Sequence, residues 1–218
     1  LAITDGRANF EIPCGSIERP ADGQEMPALN WVDLTGNVAG MPLGATLVND
    51  SKYGHALSGD AIALTLVRSS YDPDPLPELG RHHIRFALAV HADEFDVARA
   101  TREGFVFNHR CIPVGATVHA GELAAEYSAL ELLTPGVMLS GLKRAEDSAG
   151  LVVRLYEMTG EAQTAHVRVD EALAEPDASA VEIDLLETPL SESSAIMSSG
   201  LLQVDLPAFG IATVLIGA

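Results

Sequence analysis

The chain has 218 residues, 47% hydrophobic and 20% charged, which suits one large or two small domains with a real core and excludes disorder. A formal charge of -18 argues against nucleic acid, whose binding depends on Lys and Arg displacing counterions, and against anionic membrane surfaces. Aromatics are 5% with a single Trp, so the core must be built mainly from Val, Leu, Ile and Ala.

Residues 1–42 are rich in Gly, Pro and Asn. Short extended pieces are predicted at 9–13, 16–19 and 30–34, and "ERPADGQEMPALN" reads as a long loop from its Pro and Gly content. Residues 45–48 and 61–68 then read as the two strands of a hairpin. In the second, Ile62, Leu64, Leu66 and Arg68 share one face and Ala61, Ala63, Thr65 and Val67 the other, so it is expected to be buried on both sides.

Between those strands lies the polar cluster Asn49-Asp50-Ser51-Lys52-Tyr53-Gly54. A hairpin needs only two turn residues. The cluster is therefore either a structural turn, with Asn and Asp bonding locally and Gly54 supplying positive φ, or a surface that touches something.

"YDPDPLPELG" carries three prolines in ten residues and cannot be a helix or an inner strand. Its carboxylates Asp72, Asp74 and Glu78 could form a glycosidic acid/base pair, but their spacing favours a solvated acidic loop. "HHIRFALAVH" alternates, with Ile84, Phe86, Leu88 and Val90 making one strongly apolar face. A helix is predicted over 93–104, capped by Asp93 and ended by Gly104.

After Gly121 strand-like segments recur at 129–133, 137–142, 151–157, 165–169, 181–186, 201–206 and 212–216, separated by turn signals. That rhythm indicates a sandwich. The fold class is all-β with one short helix, divided as 1–122 and 123–218.

Chemistry-bearing motifs are few. His82 and His83 would face opposite sides of a strand, and the other five histidines have no partner at a familiar metal-ligand spacing. There is no G-x-S-x-G elbow and no Gly-rich phosphate loop. Cys14 and Cys111 lie far apart and are expected as buried free thiols, which favours a reducing compartment. No apolar run reaches the length of a membrane span, and the chain starts without Met, as a stretch inside a longer polypeptide would.

Five segments in order resemble the C-terminal region of family 38 glycoside hydrolases, the α-mannosidases. They are "FEIPCGSIERPADGQEMPALNWVDL", "LVNDSKYG", "LVRSSYDPDPLPELGRHHIRFALAVH", "VMLSGLKRAEDSAGLVVRLYE" and "FGIATVLI". Cys14, where the family commonly has an aromatic, and Ala208, where it often has Pro, depart from the pattern.

The resemblance implies a large galactose-mutarotase-like sandwich, a supersandwich, over 1–122 and a smaller C-terminal sandwich over 123–218. It implies an N-terminal catalytic barrel and a helical domain elsewhere in the same polypeptide, the barrel holding zinc and the nucleophile. The full enzyme would hydrolyse α-mannosides with retention, while this chain would hold no metal and no catalytic residue and be inactive alone.

Under the same resemblance Asn49, Asp50, Lys52, Tyr53, Tyr71, Asp72, Asp74 and His82 become candidates for interdomain contacts or for the edge of the sugar site. Apolar faces that the barrel would cover should favour self-association. The expected location is cytoplasmic. The alternative is a free-standing carbohydrate-binding or structural β-sandwich, against which the scattered aromatics and lone Trp31 count.

Overall fold

The computed structural model describes residues 3–69, 72–73 and 78–217 and divides into two compact units, Leu1–Ile112 and Pro113–Ala218. Among the described residues the first unit has β1 (Thr4–Ile12), β2 (Gly15–Arg19), β3 (Asp22–Pro27), β4 (Trp31–Val38), β5 (Met41–Asn49), β6 (Gly54–Ser58), β7 (Ala61–Leu64), β8 (Phe86–His91) and α1 (Val97–Asn108). They build a five-stranded sheet, β2-β1-β4-β5-β8, and a three-stranded one, β3-β6-β7, with antiparallel pairing throughout.

Alternation explains the core. Along β4, Val32 and Leu34 turn to one side, opposite Leu47 and Ala45 of β5, and all four are buried. Val32, Leu34 and Leu47 meet Phe10, Ala8 and Ile3 of the same sheet region and Leu57 of β6, with Met26, Ile62 and Leu64 at the margin. The other side of β4 and β5 presents Trp31 and Val48, which α1 covers with Ala100, Val97 and Phe107.

The hairpin expected from 45–48 and 61–68 does not form. β5 pairs with β4 and β8, while β6 and β7 belong to the other sheet. The cluster 49–54 is thus the crossover between two sheets, which explains its length. β7 is only four residues long, half-exposed and at the margin of its sheet, so the double burial expected for 61–68 fails. "ADGQEMP" is an edge strand rather than a loop: Pro20 precedes it and Pro27 ends it, a register shift lies between Asp22 and Glu25, and only Ala21 and Met26 pack inward.

The helix begins later and ends later than its cap residues suggest. Asp96, not Asp93, is the N-cap, its Oδ1 accepting from Ala98 N at 2.8 Å and Arg99 N at 3.2 Å. Gly104 lies inside the helix, buried, because a Cβ there would stand 3.0 Å from Trp31 Cδ1 and 3.1 Å from Asn30 Cβ. The glycine is a close-approach residue, not a stop. Gly104→Ala should be near neutral, since about 1 kcal/mol of helix propensity offsets a tight contact. Gly104→Val should cost roughly 1–3 kcal/mol by overpacking, read from Trp31 fluorescence in a urea titration.

The second unit contains β9 (Leu130–Leu132), β10 (Val137–Arg144), β11 (Leu151–Glu157), β12 (Gln163–Val169), β13 (Ala180–Glu182), β14 (Ile196–Ser198), β15 (Leu201–Leu206) and β16 (Ile211–Ile216). Two four-stranded sheets, β10-β11-β16-β13 and β14-β15-β12-β9, enclose a core of Val153, Leu155, Val167, Leu202, Val204, Val214 and similar aliphatics. Among the described residues no aromatic belongs to it, in keeping with the low aromatic content. The strand expected at 181–186 stops at Glu182, because Asp184 turns the chain by accepting from Leu186 N and Thr188 N. β14, three residues long, has no readable alternation. Both cysteines are free, but Cys14 is half-buried and Cys111 exposed rather than buried.

Candidate functional site

The crossover from β5 to β6 is held from inside. Asn49, fully buried, donates from Nδ2 to Leu29 O at 3.1 Å and lies 3.3 Å from His55 Nε2; its Oδ1 accepts from Lys52 N at 2.7 Å. His55 Nδ1 stands 3.2 Å from Tyr53 O, so the neutral tautomer with its proton on Nδ1 satisfies both contacts. Burial pushes the His55 pKa down, which agrees with a neutral ring, although the Tyr53 bond and Glu25 pull the other way. Asn108 of α1 adds Nδ2 bonds to Asn49 O at 3.0 Å and Asn30 Oδ1 at 3.2 Å.

Asp50 fixes the next position. Its Oδ1 accepts from Arg85 N at 3.1 Å and its Oδ2 from the Arg85 guanidinium at 3.2 Å, while its own N–H donates to Arg85 O at 3.1 Å. The guanidinium also lies over the Phe107 ring, 4.6 Å from its centroid. Ser51 then takes a left-handed φ of 64°, and Tyr53 O accepts from Ala28 N at 3.0 Å.

With the backbone so anchored, Ser51, Lys52, Tyr53 and Gly54 line a cleft of about 530 Å³ together with Glu25, Met26, Pro27, Thr65, Leu66, Arg68 and Glu78. Lys52 is half-buried, and Tyr53 is 57% exposed. Glu25 accepts from Thr65 Oγ1 at 2.7 Å. The cleft thus offers two cations, two carboxylates and a phenol, a polar lining suited to hydrogen-bonding a hydroxylated ligand or another protein surface.

The candidate residues divide accordingly. Lys52 and Tyr53 face the cleft; Asn49 and Asp50 spend their polar groups on the corner itself. Asp72 and His82 are exposed, and His82 Nε2 lies 2.7 Å from Glu78 O, beside the cleft's wall. Tyr71 and Asp74 lie outside the described residues. Glu25 escapes a reading of the sequence because its segment looks like a loop, and His55, Asn30 and Asn108 escape it because only the fold brings them together. Arg68, on the lining, lies four residues beyond the end of β7; like Glu25, it belongs to a segment that carries the family resemblance, which is its available signal.

Two further buried polar clusters are structural. Asp33, fully buried, accepts from Thr46 Oγ1 at 2.7 Å, from Thr35 Oγ1, and from His91 Nε2 at 2.9 Å. Glu157, also fully buried, gathers donors from three segments of the second unit. Among the described residues no three His, Cys, Asp or Glu side chains converge in a way that could hold a metal. Among them, too, no helix is long and apolar enough to cross a membrane.

Residues 1–76 match the model of the glycosyl hydrolases family 38 C-terminal domain, and residues 136–214 that of the family 38 C-terminal β-sandwich domain. The chain is 29% identical over 225 aligned residues to alpha-mannosidase 2C1 of Homo sapiens, covering 98% of this chain and 21% of that protein. It is 29% identical over 171 residues to alpha-mannosidase G of Dictyostelium discoideum, covering 72% and 15%. A solved structure of an alpha-mannosidase from Enterococcus faecalis superposes with a TM-score of 0.71 at 19% identity, over 98% of this chain and 24% of that one. The chain spans about a fifth of the human relative's length and less of the other.

Proposed function

Because the chain belongs, through residues 1–76 and 136–214, to the C-terminal region of glycosyl hydrolase family 38, we propose that it is the non-catalytic portion of a zinc-dependent, retaining α-mannosidase. On this reading the zinc and the nucleophile reside in a catalytic barrel of the same polypeptide. The chain packs on that barrel and its helical neighbour. The observation that carries this reading is the anchored crossover: Asn49, Asp50 and His55 are satisfied internally, while Lys52 and Tyr53 are held at the mouth of an open polar cleft. A corner so rigidly built, yet with its own polar groups spent, suits a docking contact at the margin of the sugar site. The unpaired thiols, one of them exposed, suit a reducing compartment, and the reading places the protein in the cytoplasm.

An aryl α-mannoside assay tests it. The 218-residue chain should show no turnover with or without added zinc, and measurable turnover from it would overturn the reading. In the longer enzyme, Lys52→Ala with Tyr53→Ala should weaken the contact and raise KM or lower kcat by about tenfold, the worth of one or two polar contacts. Unchanged kinetics and an unchanged melting temperature would remove the cleft from the mechanism.

A further inference from the structure

β8 closes the five-stranded sheet on one side, and its register with β5 sets Phe86 opposite Asn49, Leu88 opposite Leu47 and Val90 opposite Ala45. Directly paired residues share a face. Phe86, Leu88 and Val90 therefore continue the core face made by Leu47, Ala45, Val32 and Leu34. Yet those four are at most 7% exposed, while Phe86, Leu88 and Val90 are 54%, 56% and 62% exposed. Among the described residues the covering sheet stops at β7, which pairs with β6. The apolar face that the sequence assigned to this strand is real, but nothing among the described residues buries it.

The margin of the strand is open as well. Asp50 N–H donates to Arg85 O, and the register runs on without a shift. Backbone groups alternate along an antiparallel strand, so those of Ala87, Ala89 and His91 point to β5 and those of Phe86, Leu88 and Val90 point outward. Sheet margins are ordinarily defended by charge, Pro or a bulge. "FALAV" has none of these.

We infer that β8 receives a further β-strand, with an alternating apolar face, from the part of the polypeptide that the relatives carry and these 218 residues do not include. The inference deepens the proposed function and rests on it. The relatives align with up to 98% of this chain while being four to five times as long, so a donor segment is at hand. A second copy is the poorer occupant, because each carries a formal charge of -18 and would be repelled at close range. The added strand bonds to the outward amides and carbonyls, and its inward side chains cover Phe86, Leu88 and Val90.

Amide exchange distinguishes the outcomes. In the protein encoded by the complete reading frame, the amides of Phe86, Leu88 and Val90 should exchange at least about 100-fold more slowly than in the 218-residue chain. Equal, fast exchange in both overturns this inference and leaves the proposed function standing. A reading frame that encodes only these residues overturns both. Protection in the short chain that disappears on dilution makes a second copy the occupant and also overturns the inference. Leu88→Asp provides a second readout: it should lower the melting temperature of the longer protein by several degrees and leave that of the short chain unchanged, and an equal effect in both counts against the strand.

Discussion

Asp33→Ala should bring the first unit close to unfolding, at a cost of roughly 3–5 kcal/mol against a domain stability on the order of 5–15 kcal/mol. Asp33 is fully buried in β4 and ties three strands together. Its Oδ2 accepts from Thr46 of β5 at 2.7 Å and lies 2.9 Å from His91 Nε2 of β8, and its Oδ1 accepts from Thr35. The His91 ring is held on its other side by Asp93 O, 3.0 Å from Nδ1. Gly44 leaves room for that ring, since a Cβ there would come within 2.3 Å of His91 Cε1. Alanine removes both acceptor oxygens and leaves two hydroxyls and an imidazole N–H buried without partners, which costs more than the lost bonds themselves. Asp33→Asn keeps one acceptor oxygen but turns an amide NH₂ toward donors, so its cost should fall between that of alanine and zero. Trp31, the single tryptophan, sits two residues away and reports this unit alone. At about 1–3 kcal/mol per molar urea, the alanine midpoint should drop by roughly 1–5 M, and an unmoved midpoint would show that the network contributes nothing.

Much of the second unit is legible because its strands alternate cleanly. Val153 and Leu155, Val167 and Val169, Leu202 and Val204 each point inward at period two, and each reads as strand and is buried. The first unit is less legible because its decisive pairings are non-local. Residues 45–48 and 61–68 both look like strands, and proximity suggests a hairpin, but Thr46 pairs with Asp33 and Ala89 instead. Nothing in the window from 44 to 70 records that the chain changes sheets between Asn49 and Gly54. The polar cluster itself is visible; its division into anchor (Asn49, Asp50) and cleft lining (Lys52, Tyr53) is not. That division depends on Arg85, Asn108 and His55, which only the fold brings near. The false helix stop at Gly104 has the same origin, since its reason is the indole of Trp31, 73 positions earlier in the chain.

Glu157→Ala should destabilise the second unit by about 3 kcal/mol, with most of the loss arising from stranded N–H groups. The carboxylate sits at the end of β11, fully buried, and accepts from Thr159 N at 2.6 Å, Gly160 N at 2.8 Å, Gln163 Nε2 at 2.9 Å and Phe209 N at 2.9 Å, with Thr159 Oγ1 as a further donor. It thereby pins the turn after β11 and the turn before β16 to one point. Burial by itself would raise its pKa, but the bonds from Thr159, Phe209 and Gly160 outweigh it and hold the group below the ordinary 4.5. The unfolded chain therefore binds this proton at a higher pH than the folded one. The stabilisation is complete above the unfolded value and is lost as pH falls through the folded one. Wild-type protein should lose stability on acidification from about pH 6 to pH 3. Glu187 and Asp170, also held low by their partners, add to that slope and titrate alike in both proteins. Subtracting the Glu157→Gln profile from the wild-type one should isolate Glu157: the difference is largest near neutrality and shrinks toward acid. Hydrogen exchange of the β11 and β16 amides across that range measures it, and two parallel profiles would show that the carboxylate's charge is not what holds the turns.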